Sequence, residues 1–118
     1  MKKARSLLQS FAFAFDGIWY SLKTQRNMRI HFFSALIVLV AAPFFKITST
    51  EFLILIFTIS LVIVSEMFNT AIEAAVDLAT DKYHELAKIA KNVAAAAVLI
   101  SALNAVVVGY FLFIARFF

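Results

Sequence analysis

The sequence predicts an all-α membrane protein with an N-terminal amphipathic surface helix and three transmembrane helices. Composition is the first reason. Of 118 residues, 64% are hydrophobic and mean hydropathy is +0.93, with two glycines and one proline, whereas soluble domains are about 45–50% apolar. The second reason is length: three stretches, 30–47, 52–76 and 93–115, can be matched to a hydrocarbon core of about 30 Å, which takes about 20 helical residues. The first of these is the shortest. The third reason is a row of polar residues, Glu66, Asn69, Glu73 and Asp77, on one stripe of a helix whose upstream part (52–65) has no charged side chain.

The surface helix is expected over residues 5–26. Leu7, Leu8, Phe11, Phe15, Ile18, Trp19 and Leu22 recur at helical spacing, and Gln9, Asp16, Lys23 and Arg26 interrupt any continuous apolar run. Such a helix lies in the interface, with Trp19 and Tyr20 at headgroup depth. A cleaved signal peptide is the competing reading, since basic residues precede 7–15 and Ala12-Phe13-Ala14 imitates a cleavage site, but its apolar core is short and broken by Gln9 and Ser10. Orientation follows from the basic residues, which are retained in cytoplasmic loops. Nine (Lys2, Lys3, Arg5, Lys23, Arg26, Arg29, Lys82, Lys88, Lys91) precede the first span or lie between the second and third, against two (Lys46, Arg116) on the other side. The N-terminus and second loop are therefore expected in the cytoplasm and the C-terminus outside.

With no cysteine, disulfides and thiolate metal sites are excluded. No internal repeat or long linker divides the chain, and the only sizeable polar connection is 77–92. A single domain, 1–118, is expected. Three spans offer little buried surface for a pocket, so sites are expected where copies of the chain meet. Ala94, Ala95, Ala96, Ala97, Ser101 and Ala102 supply the small side chains that let membrane helices approach closely.

A carboxylate at the centre of a span costs roughly 2.5–3.5 kcal/mol on insertion scales, so two in succession need a partner, a metal or a task. At about 1.5 Å per residue, Glu66 lies roughly 10 Å from Glu73 along the helix, too far to share one proton. The two suit separate tasks. Glu73, near the interface, can offer oxygen ligands to a hydrated Mg²⁺; Glu66, deeper and drier, suits a general base. The plainer reading is that intramembrane Glu and Asn side chains hydrogen-bond neighbouring helices and fix an oligomer. That reading is natural for one Asn, and less so for four polar residues in register ahead of a cationic loop.

Lys82, Tyr83, His84, Glu85, Lys88 and Lys91 follow the stripe. Their ammonium groups can neutralise polyphosphate oxygens, although membrane anchoring alone accounts for Lys82 and Lys88. His31 and His84 look isolated, and neither lies on the stripe. Gly17 and Gly109 are the only glycines, so neither a P-loop nor a GxGxxG turn is available. Any nucleotide must be held by side chains and metal.

Glu66-Met-Phe-Asn69-Thr-Ala-Ile-Glu73-Ala-Ala-Val-Asp77, then Lys82-Tyr83-His84-Glu85-Leu86-Ala87-Lys88 and Ala90-Lys91-Asn92, resembles the small prokaryotic diacylglycerol kinase family. Gly17-Ile18-Trp19 and Arg26-Asn27-Met28-Arg29-Ile30-His31 look like its undecaprenol kinase branch. The resemblance covers nearly the whole chain. It implies a homotrimer in the bacterial inner membrane, with composite sites at the cytoplasmic interface, that transfers the γ-phosphoryl group of MgATP to a lipid hydroxyl. By matched position, Glu66 is the implied proton acceptor and Glu73 a metal ligand. Asn69 and Asp77 are implied to support the site, while Lys82, Tyr83, His84, Lys91 and Asn92 lie along the nucleotide. The implied partners are ATP, a lipid alcohol, membrane lipids and further copies of the chain, with no nucleic acid.

Three positions depart from the family pattern. Gln25 stands where the family has a metal-holding Glu, Asn92 stands where it has Asp, and Ala96 replaces a common Gly. The first two each remove a negative charge, so weaker Mg²⁺ binding is expected. Undecaprenol is the leading acceptor and diacylglycerol the alternative. A non-catalytic or weakly active oligomer, in which the same residues serve only as packing glue, is a second class of reading. A proton-coupled transporter is a third, disfavoured because the outer half of the second span has no ionisable residue for a relay.

Overall fold

The computed structural model describes residues 6–118 and is entirely helical outside its connections. Lys2, Lys3 and Arg5, used above for orientation, lie outside the described residues. Helix α1 spans Leu7–Thr24, α2 Arg26–Ala41, α3 Ser49–Ala79 and α4 Glu85–Gly109. Short 3-10 turns follow α2 (Ala42–Phe45) and end the chain (Ala115–Phe117), and one π-helical stretch, Tyr110–Ile114, extends α4.

Three segments are long and apolar enough to cross a membrane: Arg26–Phe45, Ser49–Ala79 and Glu85–Phe117. The helices that carry them differ in extent from the spans expected from composition. The first begins four residues earlier than expected, and stops before Ile47 because Pro43 opens a 3-10 turn and Lys46 adopts a left-handed φ of 56°. The other two extend well beyond 52–76 and 93–115. The polar connection expected over 77–92 is mostly helix, and only 80–84 remain as a link. At about 1.5 Å per residue, α3 is about 46 Å long, more than a hydrocarbon core of about 30 Å needs, so its last turns emerge from the apolar layer.

Local signals explain the boundaries. Ser6 and Gln9 form a reciprocal capping box at α1, and Thr48 and Glu51 form another at α3, where Glu51 N donates to Thr48 Oγ1 (3.2 Å) and Thr48 N to Glu51 Oε1 (3.0 Å). Gln25, extended at φ −113° and ψ 113°, separates α1 from α2. Arg29 Nη1 reaches back across that break to the carbonyls of Leu22 (2.8 Å) and Lys23 (2.9 Å), which have no partner within the helix.

Packing follows one stripe of α3. Leu55, Thr58, Val62, Glu66 and Asn69 recur at spacings of three or four and are buried. Against them lie Ala94 and Ser101 of α4 and, from the α2 side, Met28 and Ala42. The small residues of α4 thus serve first inside one chain, where Ala94 and Ser101 let α3 and α4 approach; Ala95, Ala96 and Ala97 face outward. Thr58, Thr70 and Ser101 return their hydroxyls to carbonyls of the preceding turn, at 2.8, 3.0 and 2.9 Å, so no hydroxyl in the stripe needs water. Leu53, Phe57, Ile100 and Val106 stand outward and more than half exposed, as lipid-facing side chains do.

At the Pro43 end, Ala42, Leu55 and Leu112 form a buried apolar cluster, and Phe45 meets Phe113 edge to face with centroids 5.0 Å apart. Arg116 closes this end. Its guanidinium donates to the carbonyls of Leu112 and Phe45 and, at 2.7 Å, to Glu51 Oε2. Thr48→Ala removes one half of the α3 capping box and should destabilise the protein by about 1 kcal/mol, seen as a lower thermal midpoint in detergent with the helical spectrum retained at low temperature.

Candidate functional site

The site is built on the loop-proximal half of α3. Counted from Ser49, Glu66 lies about 26 Å along the helix and Glu73 about 36 Å, so one carboxylate falls just within a 30 Å apolar layer and the other just beyond it. Glu66 is 1% exposed and Asn69 8%, whereas Glu73 is half-buried and Asp77 exposed. The stripe passes from apolar to acidic without leaving its face of the helix.

Asn69 joins the two carboxylates, which the sequence suggested were separate. Its amide donates to Glu73 Oε1 at 2.9 Å and, more weakly, to Glu66 Oε1 at 3.5 Å. Glu66 Oε2 and Asn69 Oδ1 are sealed from solvent without a hydrogen-bond partner in the single chain. Buried polar atoms are almost always paired, so both oxygens call for a donor from another element.

A second arrangement surrounds the link between α3 and α4. An open pocket of about 600 Å³ is lined by residues that include Asp77, Lys82, Tyr83, His84, Lys88, Lys91 and Asn92. Lys91 Nζ is 2.7 Å from Asp77 Oδ1, tying the ends of the two helices together. Lys82 N donates to Thr80 Oγ1 at 3.2 Å, which folds the link over the pocket. His84 caps α4, its Nδ1 accepting from Leu86 N at 3.1 Å, so that nitrogen is committed and Nε2 is left for other contacts. Tyr83 donates its hydroxyl to Glu85 Oε2 at 2.6 Å, and that bond to a carboxylate holds the phenol above its ordinary value of 10.0.

The structure therefore brings Asp77, Lys82, Tyr83, His84, Lys91 and Asn92 to one pocket, and Glu66, Asn69 and Glu73 to a ladder on the same helix above it. Neither Glu73 nor Gln25 lines the pocket. Gln25 is half-buried at the α1–α2 break, and its side chain makes no capping bond.

One residue missed by sequence reasoning belongs to this region. His31, which looked isolated, comes from α2 with Nε2 3.5 Å from Glu66 Oε2. The signal was its register: 28, 31, 35 and 38 share one face of α2, a line that Ala42 continues just past the helix, and Met28 and Ala42 are buried. Only the pairing of that face with the acidic stripe was invisible.

Among the described residues no three His, Cys, Asp or Glu side chains converge as a metal cage. The donors fit a hard cation of another kind, one that keeps water and takes most of its remaining ligands from phosphate. Glu73 offers a half-buried carboxylate whose Oε1 is steadied by the Asn69 amide.

The sequence matches the model of the prokaryotic diacylglycerol kinases over residues 12–113. The chain belongs to the prokaryotic diacylglycerol kinase family. This member is 47% identical over 107 residues to a diacylglycerol kinase of Synechocystis, a match covering 90% of this chain and 61% of that one. It is 38% identical over 108 residues to the undecaprenol kinase of Bacillus subtilis, covering 92% and 88%. It is 30% identical over 101 residues to the diacylglycerol kinase of Escherichia coli K12, covering 86% and 83%. Membership in a lipid-kinase family implies ATP-dependent phosphoryl transfer, and the three apolar helices agree with a bacterial membrane protein.

The Tyr83–Glu85 contact gives a direct check on the pocket. Glu85→Gln replaces the carboxylate with a neutral amide that no longer favours the protonated phenol, so Tyr83 should ionise at lower pH than in the parent protein, followed by ultraviolet difference absorbance against a Tyr83→Phe control.

Proposed function

We propose that this protein transfers the γ-phosphoryl group of MgATP to the hydroxyl of a membrane lipid alcohol. The observation that carries the reading is the depth sequence along α3: a carboxylate sealed in the apolar layer, an amide that links it to a second carboxylate, and then a pocket containing Asp77, Lys82, Lys88 and Lys91. A lipid hydroxyl approaches from the apolar side and a nucleotide from the aqueous side. Glu66 takes the hydroxyl proton as the hydroxyl oxygen bonds to the γ-phosphorus. The bond from that phosphorus to the β-phosphate oxygen breaks, and ADP leaves. Catalysis of this kind rests on positioning and on spreading phosphoryl charge.

Lys82 and Lys91, with Tyr83, His84 and Asn92, lie along the nucleotide in this reading, and Asp77 fixes Lys91. Glu73 would hold the magnesium ion, with Gln25 as a weaker oxygen donor from the α1–α2 break. When bound, the ion neutralises developing charge on the phosphate oxygens. The N-terminus and the 80–84 link face the cytoplasm. Helix α1 lies along the membrane surface, where its exposed Leu7, Leu8, Phe15 and Trp19 meet headgroups and acyl chains. Three copies complete the sites, and the whole of 1–118 acts as one domain.

Undecaprenol is the acceptor favoured here. The Bacillus subtilis undecaprenol kinase supports it, being matched over 88% of its own length. Diacylglycerol is the second reading, supported by the 47% identical Synechocystis diacylglycerol kinase. The deciding experiment is purified protein in mixed micelles with labelled ATP, magnesium, and both lipids in competition. Preferential labelling of undecaprenol is expected; label only in phosphatidic acid would reverse the choice, and label in neither lipid would remove the kinase reading.

Two variants test the assignments. Glu66→Gln cannot accept the proton and should lower turnover by about 10²-fold or more, with ATP still protecting the 80–84 link from proteolysis. Gln25→Glu returns a negative charge to the metal side and should reduce, by severalfold, the magnesium concentration giving half-maximal activity. An unchanged magnesium requirement would place Gln25 away from the ion.

A further inference from the structure

Glu66 presents two oxygens with different surroundings. Oε1 receives only the long bond from Asn69, because the shorter bond of that amide is given to Glu73. Oε2 is sealed from solvent and has no hydrogen bond, and the nitrogen facing it is His31 Nε2 at 3.5 Å. That separation is slightly beyond a well-formed N–H···O bond. His31 is itself 20% exposed and stands at one wall of a narrow, largely apolar cavity of about 130 Å³ between α2, α3 and α4, lined also by Ser34, Thr58 and Val62. The imidazole thus separates the carboxylate from the apolar cleft.

We infer that His31 is a positioning residue that holds Glu66 by Oε2 through an Nε2–H donor, so that Oε1 is kept turned toward the Glu73 side as the atom that accepts the proton of the lipid hydroxyl. The inference rests on the lipid-kinase reading given above. A carboxylate on a three-bond side chain has several rotamers, and a donor on one oxygen selects among them. The contact crosses from α2 to α3, so the position of α2 sets the orientation of the base.

The test compares His31→Ala, His31→Leu and His31→Gln in mixed micelles with saturating lipid and MgATP. His31→Ala and His31→Leu should lower kcat roughly tenfold to hundredfold, as loss of a supporting partner does, with KM for ATP within about twofold. His31→Gln, whose amide can donate at similar reach, should recover a substantial part of kcat. A residue that only fills space would behave otherwise, since Leu would then serve as well as or better than Gln. The second measurement does not depend on turnover. With only two histidines in the chain, ¹⁵N-imidazole spectra of the full protein assign His31 by its loss in His31→Gln, and Glu66→Gln should move its Nε2 resonance.

If wild-type protein phosphorylates lipid but His31→Leu and His31→Gln are equally active, or if the resonance ignores Glu66→Gln, the positioning role is overturned. If wild-type protein phosphorylates no lipid while the resonance does respond, the kinase reading fails and the His31–Glu66 contact stands without its catalytic meaning.

Discussion

A carboxylate with 1% of its surface exposed, in a helix long enough to cross a bilayer, sets the terms for the rest of this molecule. Glu66 cannot be solvated by lipid, so other groups must compensate for its burial. The surrounding polar atoms divide into those that look after themselves and those that attend to Glu66. Thr58, Thr70 and Ser101 return their hydroxyls to their own helices. Asn69 and His31 approach the carboxylate from α3 and α2. In lipid, where apolar packing supplies no hydrophobic driving force, such polar contacts between helices also help to hold the bundle together.

The same helix face that packs the protein also carries its buried polar residues. Leu55, Thr58 and Val62 are continuous with Glu66 and Asn69, so rigid packing against α4 fixes the height and direction of the acidic residues. Sites on packed helices hold geometry better than sites on loops. The short link at 80–84 and the lysines around it lie outside that packed face, and the Lys91–Asp77 pair there is largely open to solvent. Surface ion pairs of this kind are weak, so this pair adds little to the stability of the bundle.

Much of this was legible in the sequence because membrane insertion constrains composition so strongly. The three apolar segments, the acidic stripe and the cationic link follow from hydropathy and from the helical period, and the motif resemblance named the family that the comparison identified. Boundaries were less legible. Nothing in hydropathy marks where α3 continues past Val76 into a wetter environment, and a local left-handed residue at Lys46 ended the first span. Contacts between helices were least legible. A histidine amid apolar neighbours gives no sign of which carboxylate it will meet, because that depends on the crossing of α2 over α3. The small residues of α4 likewise could not announce whether they serve within a chain or between chains.

The Arg116 guanidinium sits where three segments of the Pro43 end meet. It fastens the last helical turn, the turn after α2 and the first turn of α3 at a single point. Removing that one side chain would therefore release all three ties at once, so the polar closure of this end of the bundle is vested in a single guanidinium rather than spread over several side chains.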